Sequence, residues 1–143
     1  MPGARRKARA LALQALYEVD SARHGVEDVL THLPAEEKLS EENADFIREL
    51  VRGVLQNKDD IDKNIKSFAP AWPIDQIPLV DRNILRLAIF EILLDNKVSV
   101  KVAINEAVEL AKRFGSDNSS KFVNGVLGSV STYSNIQKDT QRG

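Results

Sequence analysis

Apolar residues recur at steps of three and four along almost the whole chain, and this spacing restricts the possible folds more than any other feature of the sequence. A strand returns to one face every second residue and a helix about every 3.6, so a chain of such stripes is expected to be helices packed on helices. Ala8, Leu11, Ala12, Ala15, Leu16 and Val19 make the first stripe. Val26 to Leu33 predicts a short second helix closed by Pro34. After the polar stretch "AEEKLSEEN", Ser40 stands where an N-cap belongs, and Glu41 and Glu42 fill the first turn, where the helix dipole favours anions. Phe46, Ile47, Leu50, Val51, Val54 and Leu55 follow on one side, and Ile61, Ile65 and Phe68 continue the pattern. Three prolines, Pro70, Pro73 and Pro78, then make 70–78 a connector.

Beyond it, "LVDRNILRLAIFEILL" is apolar on most of its circumference, leaving a ribbon of Arg82, Asn83 and Arg86, the pattern of a helix in the middle of a bundle. "KVAINEAVELAKRFG" is expected to bury Ile104, Ala107, Val108, Ala111 and Phe114. Its last turn carries Lys112 and Arg113, with Gly115 at the C′ position. A last helix starts after Ser119 or Ser120 and carries Val123, Val126, Leu127 and Val130 on one side; residues 133–143 are polar and aperiodic, as in a flexible tail. No strand pattern or internal repeat is present. The expected fold is all-α, a compact bundle of about six to seven helices. Two sub-bundles are expected, about 4–69 and 78–132, within one domain over 1–132. A length of 143 residues, 43% of them hydrophobic, suffices for a core.

Twenty Lys and Arg nearly cancel twenty-one Asp and Glu, so any affinity for nucleic acid must come from where charge sits. The absence of Cys excludes a disulfide framework and a thiolate metal site, and fits the cytoplasm. Gln14 and Glu18 interrupt what a secretory signal needs as a continuous apolar stretch, and Arg86 and Glu91 interrupt the longest apolar run, Ile84 to Leu94. A soluble chain with no membrane partner is expected.

The parts of an enzyme are missing from the pattern. His24 and His32 lie eight apart without a Glu-x-x-His pairing, so no metal or other cofactor is expected. Neither has a Ser or Cys partner in a nucleophile motif, and no Gly-rich phosphate loop joins a strand to a helix. Glu106 and Glu109, at i and i+3, resemble an acid and base pair, but Glu109 precedes Lys112 and Arg113 at ion-pair spacing. With no nucleophile, base and orienter set, no catalytic residue is assigned.

"ARRKARALALQALY" poses the sharper question, because Arg5, Arg6, Lys7 and Arg9 crowd the end of the first helix where the dipole disfavours cations. On a helical wheel of about 100° per residue, Arg6, Ala10 and Tyr17 lie opposite the apolar stripe. An exposed ring beside cations suits a base and its phosphate. The residues alone leave a second reading open, in which Tyr17 packs on a neighbouring helix and the cations are a solvated face. A second candidate patch lies in "GSDNSSKF", where the free amides near Ser119 and Ser120, with Asn118, Lys121 and Phe122, offer an anion site beside an aromatic ring. Phe122 borders the last apolar stripe and could equally seal the core; Asp117 makes the local charge less welcoming.

"KVAINEAVELAKRFG" followed by "SSKFVNGVL" resembles the paired signature of the NusB family of bacterial transcription antitermination factors. "ILRLAIFEILL" and "ARRKARALALQALY" resemble the family's other two segments, in its order, and the likeness spans Ala4 to Val130. The resemblance implies a two-part helical bundle that binds single-stranded boxA-like RNA of ribosomal RNA operon leaders together with the ribosomal protein NusE. That assembly, with NusA and NusG, acts on RNA polymerase. It implies RNA contacts at Arg5, Arg6, Lys7, Arg9, Tyr17, Asn118, Lys121 and Phe122, and a NusE-side role for Asp81 and Arg82, whose plain alternative is a helix cap and a surface Arg. Some members self-associate as homodimers, so a homodimer is a possible partner state. An RNA methyltransferase carrying such a module also needs a catalytic domain, for which a chain ending at Gly143 is expected to have no room. The other functional class is a helical adaptor that binds only protein and is indifferent to RNA sequence.

Overall fold

The computed structural model describes residues 2–22, 25–36, 38–95 and 97–142, with the side chains of 2, 33–36 and 134–142 left out of account. Seven α-helices and no strand occur among the described residues: α1 (Pro2–Ala22), α2 (Val26–Glu36), α3 (Glu41–Gln56), α4 (Lys58–Phe68), α5 (Leu79–Ile89), α6 (Val100–Phe114) and α7 (Ser119–Arg142). The all-α bundle expected from the spacing is the fold observed. The chain divides into two compact units, Met1–Gln56 and Asn57–Gly143.

In the first unit α1 packs on α2 and α3. The predicted stripe of α1 is buried from Ala8 to Leu16, and Leu13 widens it. Ser40 caps α3 as expected: its Oγ accepts from the Asn43 N–H at 3.2 Å, satisfying one of the donors a helix start leaves open. Ala44, Ile47, Leu50, Val51 and Val54 are the buried face of that helix. α2 continues past Pro34 to Glu36, where the sequence pattern closes it earlier. A proline in a last turn forfeits one backbone bond and need not stop the helix at once.

In the second unit α5 is the central element, contacting α4, α6 and α7. Asn83 through Ile89 are all buried, so Asn83 and Arg86 of the polar ribbon are inside as well, while Arg82 is half-buried. Burying a guanidinium costs several kcal/mol unless its donors are met. Here Arg86 Nε and Nη2 donate to the two Asp62 carboxylate oxygens at 2.8 and 3.0 Å, and Nη1 to Asn83 Oδ1 at 3.2 Å. Those bonds, with the buried Ile61 and Ile65, attach α4 to α5. The division therefore falls at Asn57, where the chain turns between α3 and α4, upstream of the 70–78 connector suggested by proline content.

The helix after α5 widens into a π-helical turn over Phe90–Asp95. α6 is capped by Ser99, whose Oγ accepts from the Val102 N–H at 3.2 Å. Its buried residues are Ala103, Ala107, Leu110 and Ala111, whereas Phe114 is exposed, with Arg113 4.8 Å over its ring. Gly115 ends the helix in extended backbone, φ −91°, and not in the left-handed C′ conformation expected. Its missing Cβ has another use: one would meet the Ser119 side chain and stand 2.8 Å from the Ala111 carbonyl oxygen. The α7 stripe Val123, Val126, Leu127 and Val130 is buried as expected, and its helical backbone runs on to Arg142.

Candidate nucleic-acid interface

α1 sorts its four cations onto two faces. Arg9 is 5% exposed, and its guanidinium lies 5.3 Å from the Phe46 ring centroid; Arg5 lies 4.1 Å over the same ring and reaches Glu42 at 3.4 Å. These are cation–π contacts, of about 0.5–2 kcal/mol each depending on desolvation. Arg9 therefore serves the α1–α3 packing, which corrects its placement among surface contacts for RNA. At about 100° per residue it falls on the flank of the buried arc that faces α3. Arg6, Lys7, Gln14 and Tyr17 occupy the opposite arc and are exposed, with Tyr17 at 40%. The exposed ring thus shares its helix face with two cations.

At the start of α7, Asn118 and Lys121 are exposed and Phe122 is half-buried. What positions them is a buried polar tie. Ser119 is 1% exposed; its Oγ donates to Asp81 Oδ1 at 2.6 Å and accepts from the Ser116 N–H at 2.9 Å. Asp81 lies in the first turn of α5, so the tie fixes the α7 start against α5. This corrects Asp81 as a partner-facing group: it is buried and its carboxylate is used within the fold, though not as a side-chain cap of its own helix. Arg82 is half-buried and donates through Nη1 to the Ile74 carbonyl at 3.0 Å. Ser119 itself is a structural residue, and the amides beside it are partly engaged by Ser116 and Asn118, whose carbonyls accept from Ser119 and Phe122.

Trp72 was not singled out by spacing. It is 52% exposed and meets Phe122 edge-to-face, ring centroids 6.2 Å apart. The available signal was a lone tryptophan set between prolines in the connector, where no apolar stripe claims it. Elsewhere, Glu109 pairs with Lys112 at 3.5 Å, the surface ion pair its spacing suggests. His32 is exposed, and His24 lies outside the described residues. Among the described residues no group of three or more His, Cys, Asp or Glu is placed to hold a metal, and no helix is long and apolar enough to cross a membrane.

The model of the NusB family matches residues 6–132, the stretch that holds both patches. The chain belongs to the NusB family. It is 57% identical over 131 residues to the transcription antitermination protein NusB of Dehalococcoides mccartyi strain 195, covering 92% of each chain. To the NusB of Chloroflexus aggregans it is 50% identical, over 90% of this chain and 87% of that protein. Among solved structures it is similar to Thermotoga maritima NusB, with a TM-score of 0.84 and 34% identity over 90% of each chain. A crystal structure of antitermination factors NusB and NusE in complex with double-stranded RNA matches at a TM-score of 0.82 and 25% identity, over 91% of this chain and 97% of that one. These NusB structures share the helical fold seen here.

Proposed function

We propose that this NusB-family chain is a transcription antitermination factor that binds single-stranded boxA-like RNA of ribosomal RNA leaders together with NusE. In this reading it acts in the cytoplasm on RNA polymerase, with NusA and NusG. The observation that carries the RNA part is Tyr17, a ring exposed on the same face of α1 as Arg6 and Lys7. Cations engage phosphates, and a ring face stacks a base only when that base is not already stacked in a duplex, so the pair favours single strands. The solved relative with NusE and RNA supports the two partner classes; the RNA there is double-stranded, and the preference for single strands rests on the aromatic side chains of this chain.

RNA binding by fluorescence anisotropy tests the proposal, with a boxA-like single strand against a scrambled one, each with and without the ribosomal protein. The expected result is tighter binding to the boxA-like strand and a further gain with NusE. Equal binding to both strands, or none, would replace this reading with a protein-binding adaptor.

A further inference from the structure

Trp72 is the only tryptophan in the chain, and more than half of it faces solvent. An indole offers more apolar area than any other side chain, so one left this exposed on a folded surface calls for a partner. It is also held in place. Its main-chain N–H donates to the Ala69 carbonyl at 3.1 Å, Pro70 and Pro73 stiffen the backbone of the turn around it, and its ring packs at 75° to that of Phe122. An edge-to-face contact engages the edge of one ring and one face of the other, so it does not itself cover both faces of Trp72, whose side chain is more than half exposed. Lys121, beside Phe122, is exposed, as is Asn118 one turn earlier.

We propose that Trp72 stacks an unpaired base of bound RNA, forming with Phe122 a two-ring platform whose phosphate charge is met by Lys121. The proposal rests on the RNA reading above and extends it to a residue outside the family signature segments. A base with its phosphate matches both features of the patch, a flat π face and an adjacent cation. The two prolines restrict the backbone around Trp72 and the contact with Phe122 restrains its ring, so less conformational freedom is lost on binding.

The lone tryptophan makes its own probe in the full-length chain. A boxA-like single strand carrying a fluorophore is titrated while its anisotropy and the protein's tryptophan emission are followed. Emission should change with the same midpoint as the anisotropy. Trp72→Leu should weaken binding about five- to one-hundred-fold, with Trp72→Phe recovering part of the loss. Melting curves of both variants should stay close to the parent's, because more than half of the side chain faces solvent and its one ring contact among the described residues is with Phe122. RNA binding seen by anisotropy with emission unchanged and Trp72→Leu binding normally would overturn the platform while leaving RNA binding standing. So would affinity that falls in Trp72→Leu only in proportion to lost folding. Emission that responds to the ribosomal protein alone, and not to RNA, would also overturn it, assigning the ring to a protein partner. No anisotropy change at any RNA concentration would remove the RNA reading and the platform together.

Discussion

Single residues decide how the second unit presents its patch. Asp81 and Ser119 are thirty-eight positions apart and meet at 2.6 Å in a buried site, where a hydrogen bond to a carboxylate matters most because no water replaces it. Ser119→Ala would strand the carboxylate and the Ser116 N–H together. The expected cost is about 1–3 kcal/mol, read as a lower urea midpoint with an unchanged m-value. An unchanged midpoint would mean that the tie contributes nothing net. Gly115 belongs to the same local design, since any Cβ there would press on Ser119 and on the carbonyl that ends α6. Arg9 makes the corresponding point in the first unit: a guanidinium largely out of solvent lies against an aromatic face on α3.

At the scale of elements, α1 carries two jobs on opposite arcs, packing through Ala8, Leu11, Ala12 and Leu16 and display through Arg6, Lys7 and Tyr17. Tyr17→Leu keeps apolar volume and removes the π face. RNA affinity should drop by about 1–3 kcal/mol. Stability should move by no more than about 0.5 kcal/mol, as for other exposed positions. A variant that melts early yet binds RNA normally while folded would place the ring in the packing instead. α2 and α3 are joined by an ion pair, Glu27 with Arg52 at 2.7 Å. The hydrogen bond from Arg52 holds the Glu27 carboxyl below the ordinary carboxylate range, and the same bond raises Arg52. A carboxyl that ionises more readily folded than unfolded stabilises the fold above its unfolded pKa, and that contribution is lost as pH falls through the folded value. Both side chains are exposed, so solvent screening keeps the effect small. The melting temperature of the parent should exceed that of Glu27→Gln at neutral pH and converge with it in acid. A gap that widens in acid would contradict the sign.

The whole molecule is nearly neutral, so its attraction for RNA depends on placement. If Arg6, Lys7 and Lys121 each neutralise one phosphate, the log–log slope of affinity against salt should be about −2, at roughly 0.7 per contact on a single strand. Replacing Arg6 and Lys7 with Ala should flatten it by about one unit or more; an unchanged slope would take α1 out of the RNA path. Which parts of this were legible in the sequence follows from the range of the interactions that set them. Helical spacing is local, so the stripes of α1, α3 and α7, the Ser40 cap and the exposed arc holding Tyr17 could be read directly. The order of four signature segments, each a run of adjacent residues, was enough to indicate the family. Contacts between distant positions were not legible, because the pattern of one helix does not say what faces it. Only the tertiary structure buried Arg9 against Phe46, took Asp81 inward to Ser119, left Phe114 in solvent and moved α4 into the second unit through Asp62 and Arg86. It also set Trp72 against Phe122, because a ring-to-ring contact between a proline-rich turn and a helix start fifty positions later depends on how the helices between them pack.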